Sequence, residues 1–217
     1  HLQSSLSSAE TIDAKERFET KVKESGVNIE HYHADNGRFV DNAFREHLKE
    51  GQSLTFCGIN AHWQNGVAER AIRDIKENLR SILFHAIHKW PGAISVFLWP
   101  YAMRHAVNLR NHTPFKHENL LPVERFTLSN IQPNLKHFHT FGCPVFVLHN
   151  NLQAQRPIKT WLPRSRLGIY LGQSEQHARN VSSIMILTTG LVSAQFHVSH
   201  DDFFETVTVD DKNVQLS

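Results

Sequence analysis

The chain has 217 residues, of which 40% are hydrophobic and 20% charged, and its formal net charge is +2. That length suits one large or two small globular domains, and the composition is that of an ordinary globular protein. No apolar run approaches a membrane span, the opening residues do not read as a signal peptide, and Cys57 and Cys143 lie too far apart for a metal-spacing pair and read as reduced, intracellular thiols.

Charge is unevenly placed. Residues 137–200 hold Arg156, Lys159, Arg164, Arg166 and Arg179 against Glu175, whereas residues 201–217 hold five acids against Lys212. A basic stretch suits a polyanion partner, although an ordinary solvated surface has the same composition. Sixteen histidines are many, but no ligand spacing organises them. His31 and His33 share one face of a strand, and each histidine taken singly is expected to be structural.

In chain order, residues 8–25 read as an amphipathic helix. Ser7 with Glu10 fits a capping box, and Gly26 stands where a helix stops. Val27–His33 alternates as a strand, and Asp35-Asn36-Gly37 turns the chain. Asp35 therefore stands at the C-terminal end of a strand, where open α/β sheets place their ligands. Residues 40–50 suggest a short helix closed by Gly51. Ser53–Cys57 reads as a strand, and 58–66, rich in Gly and Asn, as a mobile loop.

A long helix then starts near Asn65. On a helical wheel, Glu69, Arg73, Lys76 and Arg80 fall within about 60° of one another. Ala68, Ile72, Ile75, Leu79, Ile82, Leu83 and Ala86 fill a different face, which is expected to be buried. Glu69 sits in the first turn, where the helix dipole favours a negative charge. An ordinary surface helix with i,i+4 charge pairs would show the same wheel.

Trp90-Pro91-Gly92 ends that helix, and residues 94–111 form a second. There Pro100 either kinks the helix or starts its longer part, and Trp99, Tyr101, Met103, Val107 and Leu109 are expected in the core. Residues 115–136 read as a linker with one helical turn near Pro122–Leu128. From Phe138 the pattern changes to short strands, Pro144–Leu148, Arg166–Leu171, Ser183–Leu187 and Leu191–Phe196, as in a small barrel. Loop 155–166 gathers Arg156, Lys159, Arg164 and Arg166 around Trp161, which either stacks on bases or plugs the barrel. Asp201-Asp202-Phe203-Phe204 and the acidic tail are expected to fray.

Two segments deliver carboxylates beside turn residues: His33-Ala34-Asp35-Asn36-Gly37, and the run Asn60-Ala61-His62-Trp63-Gln64-Asn65-Gly66-Val67-Ala68-Glu69-Arg70. Two carboxylates from separate elements suit a divalent-metal phosphoryl-transfer site, because Mg²⁺ prefers hard oxygen ligands and takes only one or two carboxylates directly. Both segments resemble the second and third acidic motifs of the integrase core of copia-type retrotransposons, in the retroviral integrase superfamily. The resemblance continues through Lys89-Trp90-Pro91, Leu98-Trp99-Pro100-Tyr101-Ala102 and Asn111-His112-Thr113-Pro114. It then covers Phe141-Gly142-Cys143-Pro144-Val145, Pro163-Arg164-Ser165-Arg166, Tyr170-Leu171-Gly172 and Gln195-Phe196-His197-Val198, like the SH3-like domain that follows the core in these polyproteins. Nearly the whole chain is covered.

The resemblance implies an α/β ribonuclease H-like core, incomplete because its first strands are missing, followed by a small all-β SH3-like barrel. The implied division is a partial catalytic core at 1–115, a linker at 116–136, the barrel at 137–205 and an acidic tail at 206–217. By resemblance, Asp35 and Glu69 are the second and third members of an Asp, Asp, Glu triad holding Mg²⁺ or Mn²⁺. The first member lies on an earlier strand, and only 34 residues precede Asp35. Asp13 sits in a helical pattern, and the chain opens on His1 rather than Met, so the expectation is a fragment starting after the first catalytic strand. The gap of 33 residues between Asp35 and Glu69 is slightly shorter than the family's, a difference that a loop near Lys49-Glu50-Gly51 absorbs at little cost.

The implied reaction is strand transfer, in which a DNA 3′-hydroxyl attacks a phosphodiester of target DNA. The chain is therefore a polynucleotidyl transferase by ancestry; alone it is expected to bind metal weakly and not to catalyse. The implied partners are DNA, both element ends and target, and further copies in a homo-multimer, with no membrane and no small-molecule substrate. The family places such proteins in the nucleus or in virus-like particles. Arg73, Lys76 and Arg80 are expected to face phosphates, Gln64 and Asn65 to support the active-site loop, and Arg164 and Arg166 to contact nucleic acid. Two other readings stay open: a non-catalytic nucleic-acid-binding remnant, and a protein-interaction module built on the SH3-like half.

Overall fold

The computed structural model describes residues 5, 7–34, 39, 42–58, 65–114, 120–129, 135–178 and 180–207. Their elements in order are α1 (Ser8–Glu24), β1 (His31–Ala34), α2 (Asn42–Glu46), β2 (Ser53–Phe56), α3 (Gly66–Lys89), α4 (Trp99–Asn111) and α5 (Pro122–Thr127). There follow β3 (Pro144–Leu148), α6 (Asn150–Gln153), β4 (Ser165–Gln173), β5 (Ser182–Ile186), β6 (Val192–Gln195) and β7 (Val198–His200). The chain divides into two compact units: His1–Asp74 with Thr113–Ile131, and Ile75–His112 with Gln132–Ser217.

In the first unit, Ser7 caps α1 by accepting the Glu10 amide at 3.3 Å. The Glu10 carboxylate reaches past the cap residue to the Ser5 amide at 3.0 Å, so the box closes two residues earlier than its usual form. Gly26, at φ +76°, ends the helix as expected. β1 and β2 pair in parallel, with His31 opposite Ser53 and Ala34 opposite Phe56. Among the described residues β1 has a partner on one side only.

A buried polar network ties α1 to this pair. Lys15 and Glu19 are both buried, and their side chains meet at 2.8 Å. Glu19 also accepts from Tyr32 Oη of β1 at 2.6 Å, from Gln52 Nε2 at 2.8 Å and from Lys49. Lys15 donates further to the His47 carbonyl at 3.3 Å. Every buried charge thus has several partners, the condition under which burial is tolerated.

The second unit is built on a five-stranded antiparallel sheet of order β6-β5-β4-β3-β7. Four strands run as a meander, and β7 returns to pair with β3, Val145 lying opposite His200. Side chains on β4 alternate across the sheet. Ile169 and Leu171 join a core with Leu83 and Ala86 of α3, Ile94, Leu98, Ala102 of α4 and Phe141. Tyr170 points the other way, into a second core with Cys143, Val145, Val147, Ile184, Ile186 and Phe204. Close approach of helix to sheet is made possible by small residues. Gly142, at φ +80°, leaves no room for a Cβ, which would stand 2.6 Å from that of Ala86.

Several expectations change here. By compactness, residues 75–112 group with 132–217, and residues 113–131 group with 1–74. Within that stretch α5 forms, as expected near Pro122–Leu128. The α4 core is Ala102, His105 and Ala106, whereas Trp99 is 43% exposed; the buried face carries two alanines around the His105 ring and leaves the indole partly outside. Pro100 begins the helix rather than kinking it. On α3, only Leu83 and Ala86 are fully buried, while Ala68 and Ile72 of the expected apolar face are exposed. Residues 201–204 do not fray: Phe204 is buried and both aspartates are hydrogen-bonded. No helix among the described residues is long and apolar enough to cross a membrane.

Candidate nucleic-acid interface

Of the two expected metal ligands, Asp35 lies outside the described residues, as does Gln64. β1 ends at Ala34, so the residue preceding Asp35 closes a strand whose parallel partner ends at Phe56. Glu69 is exposed in the first turn of α3, and Asn65, half-buried, immediately precedes that helix. Glu69 offers the hard carboxylate oxygens that Mg²⁺ or Mn²⁺ takes. Among the described residues no group of three or more His, Cys, Asp or Glu side chains is placed to hold a metal ion.

α3 is continuous from Gly66 to Lys89, so Glu69, Arg73, Lys76 and Arg80 keep the common face expected of their spacing. All four are exposed. Among the described residues none of the three cations forms an ion pair. Glu77 is also exposed and follows Arg73 by one turn, so the face is mixed in charge rather than purely basic, a feature the wheel reading passed over.

The basic loop after α6 gives a clearer result. Trp161 is 96% exposed, so it does not plug the sheet. Arg156, Lys159 and Arg164 are exposed around it in sequence. Backbone bonds fix the loop at both ends: the Arg156 amide donates to Asn151 O at 2.7 Å, the Leu162 amide to Lys159 O at 3.0 Å, and the His149 amide to Arg164 O at 2.8 Å. An indole held out in solvent, in one loop with three exposed cations, offers a stacking surface together with phosphate-binding charge. Arg166 differs from its neighbours. It lies on β4 opposite Val147, and its Nη2 donates to Asn150 Oδ1 at 2.7 Å. That bond joins β4 to α6, so Arg166 has a structural partner as well as charge.

Sequence reasoning missed a histidine-rich cluster in the second unit. His139 and His200 stack with ring centres 3.5 Å apart and planes within 7°. Their side stands against the edge of Tyr170. A cavity of about 550 Å³ lies beside them, lined by Ile82, His85, His105, Leu109, Phe138 and Asp202 among others. His105 is 4% exposed, and among the described residues its Nδ1 has no hydrogen-bond partner; burial lowers its pKa to about 4. No linear spacing would reveal this cluster, because its members come from α3, α4, the segment before β3, β4, β7 and the chain just after β7.

No family model matches the sequence. Among solved structures, the chain is similar to one in the cryo-EM structure of the simian T-cell lymphotropic virus intasome in complex with PP2A regulatory subunit B56 gamma, at 14% identity and a TM-score of 0.45. The match covers 91% of this chain and 66%, just under two thirds, of that one. At that score and identity the likeness fixes neither the fold family nor the chemistry.

Proposed function

We propose that this chain is a nucleic-acid-binding portion of an integrase-type polynucleotidyl transferase of the copia class, with a ribonuclease H-like part and an SH3-like sheet. The observation that supports it most directly is Trp161, fully exposed in a loop with Arg156, Lys159 and Arg164. Such a loop binds through phosphate charge and base stacking, without base-specific readout. Trp161→Ala is expected to weaken binding of a labelled single-stranded oligonucleotide by roughly 5- to 150-fold, since stacking on an aromatic side chain contributes about 1–3 kcal/mol per base. Replacing Arg156, Lys159 and Arg164 by Gln is expected to lower the slope of log affinity against log salt by about two. Fluorescence anisotropy across a salt series reads both, and an unchanged slope in the triple variant sinks the reading.

In the same proposal Glu69, with Asp35, would hold Mg²⁺ or Mn²⁺ as two members of an Asp, Asp, Glu triad. The bound metal would stabilise charge on the attacking and leaving oxygens of an in-line displacement. Arg73, Lys76 and Arg80 would hold the duplex backbone along α3, with element ends, target DNA and further copies of the chain as partners. In a version extended to carry an Asp-bearing strand, Glu69→Gln is expected to eliminate strand transfer while DNA affinity is retained. Retained strand transfer in that variant removes Glu69 from the site.

A protein-interaction reading is favoured by one observation. Val96 and Phe97, in the single turn before α4, and Trp99, its first residue, are 52%, 83% and 43% exposed, with buried Leu98 between them. Exposed large apolar side chains grouped in this way can mark contact surfaces. DNA binding that survives every change in the Trp161 loop would move the assignment to this reading.

A further inference from the structure

The segment Asp201–Val207, which follows β7, is fastened at four points within the second unit. The Asp201 amide donates to Pro144 O at 2.9 Å. The Asp201 carboxylate accepts from the Thr206 amide at 2.8 Å, from Thr206 Oγ1 at 2.6 Å and from the Glu205 amide at 3.1 Å. The Asp202 carboxylate accepts from the Thr140 amide at 2.8 Å and from His139 Nδ1 at 2.9 Å. Phe204 is buried in the core formed with Cys143 and Tyr170, its ring edge-to-face with His85 at 6.0 Å. Together these make a strap lying over the Cys143 thiol, which is fully buried and 3.9 Å from Asp202 Oδ1.

The fastening at Asp202 depends on His139, and His139 is stacked on His200 at 3.5 Å. Two imidazoles in that contact cannot both carry charge without strong repulsion. His200 is held in place by Ser182 Oγ at 3.2 Å from its Nε2. Other titratable groups facing the pair are Tyr170 from β4, Cys143 at the start of β3, His85 from α3 against Phe204, His105 from α4 against Tyr170, and Asp201 beside Asp202. Of these only the aspartates supply negative charge, and Asp202 is already hydrogen-bonded to His139 and Thr140.

We propose that the stacked pair His139–His200, with Asp202, is a pH-sensitive latch that holds the strap Asp201–Val207 closed at neutral pH and releases it when the second imidazole takes a proton. Release separates the rings, frees Asp202 from the His139–Thr140 segment, withdraws Phe204 and uncovers the Cys143 thiol. The direction follows from the environment. Burial first, and His139 second, lower the His200 pKa to about 4, against the opposing pull of Asp202. A base with a pKa near 4 closed and an ordinary value of 6.5 when released binds more protons in the open form. The closed form therefore loses ground as pH falls from 6.5 towards 4. Asp202, whose carboxyl is held low by His139 and Thr140 against its burial, stays charged through that window.

The test is amide hydrogen exchange on the full chain at neutral pH and near pH 5, corrected for intrinsic exchange. The reporters are the Glu205 and Thr206 amides of the strap and the Thr140 amide on its partner, with the β4–β5 ladder amides as reference. Strap protection is expected to fall roughly tenfold or more on acidification while the ladder keeps its own. His200→Gln, which cannot take the proton, is expected to flatten that response. Asp202→Asn is expected to loosen the strap at neutral pH already and so reports independently if His200→Gln fails to fold. Strap protection that does not change with pH, that falls only in step with the ladder, or that responds unaltered in both variants overturns the latch.

Discussion

Glu19→Ala is expected to destabilise the first unit by about 3–5 kcal/mol, the range seen when one partner of a buried ion pair is removed. The substitution deletes the acceptor for Lys15, Tyr32, Gln52 and Lys49 at once. It leaves the Lys15 ammonium, only 2% exposed, with neutral partners: the His47 carbonyl, Gln52 Oε1 and the face of the Tyr32 ring. An unpaired buried charge is the costly outcome, more than the loss of attraction itself. Exchange protection of α1 and of the β1–β2 ladder is expected to drop by two to three orders of magnitude, at about 1.4 kcal/mol per tenfold. The double change Lys15→Met with Glu19→Leu should recover most of it, because an apolar pair of similar volume removes both charges together. A Glu19→Ala variant with unchanged protection would show that Lys15 leaves the interior freely.

The same group sets an acid limit. Burial pushes the Glu19 carboxyl up, but hydrogen bonds from Lys15, Lys49, Tyr32 and Gln52 together outweigh it and hold the group far below its ordinary value of 4.5. A carboxyl with a lowered native pKa contributes stability that is present above pH 4.5 and is lost as pH falls below it. The His200 latch acts in the higher window between 6.5 and 4, so the two effects separate along the pH axis.

What could be seen in the sequence depended on the range of the interactions. α1, α3, α5 and strands β1 to β6 follow from periodicity, caps and turn residues within a few positions of one another, and their bounds shift by only a few residues. β7 has three residues and directly follows β6, so no turn signal separates it from the Leu191–Phe196 pattern. The true α4 core was hidden because its packing partners lie far along the chain: His105 stands against Gly172 of β4 and beside the rings of Phe141 and Tyr170. Hydrophobicity favours Trp99, but close packing selects Ala102 and Ala106. Trp161 was ambiguous for a related reason: nothing local distinguishes an indole that fills a sheet from one held in solvent. The buried Lys15–Glu19 pair looks in sequence like an ordinary i,i+4 surface bridge; only Tyr32, Gln52 and Lys49 closing over it make it internal.

Residues 137–207 expressed alone are expected to lack a cooperative, reversible melt, whereas residues 75–207 should show one. The strand pattern suggests a barrel that folds by itself, but the packing is two-faced. Phe141, Ile169 and Leu171 are buried against Leu83, Ala86, Leu98 and Ala102 of the helical layer. Without residues 75–112 these three side chains face water. At about 1.5–3 kcal/mol for each fully buried side chain, the loss is about 5–9 kcal/mol, comparable to the whole stability of a small domain. Tyr170, Val145 and Val147 would still have their own core, so the truncated sheet should keep strand content by far-ultraviolet dichroism while binding a hydrophobic dye and losing near-ultraviolet signal. A sharp reversible melt of 137–207 at the temperature of 75–207 would mean that the helices merely cover the sheet. Failure of both pieces to melt cooperatively would place the folding unit beyond residues 75–207.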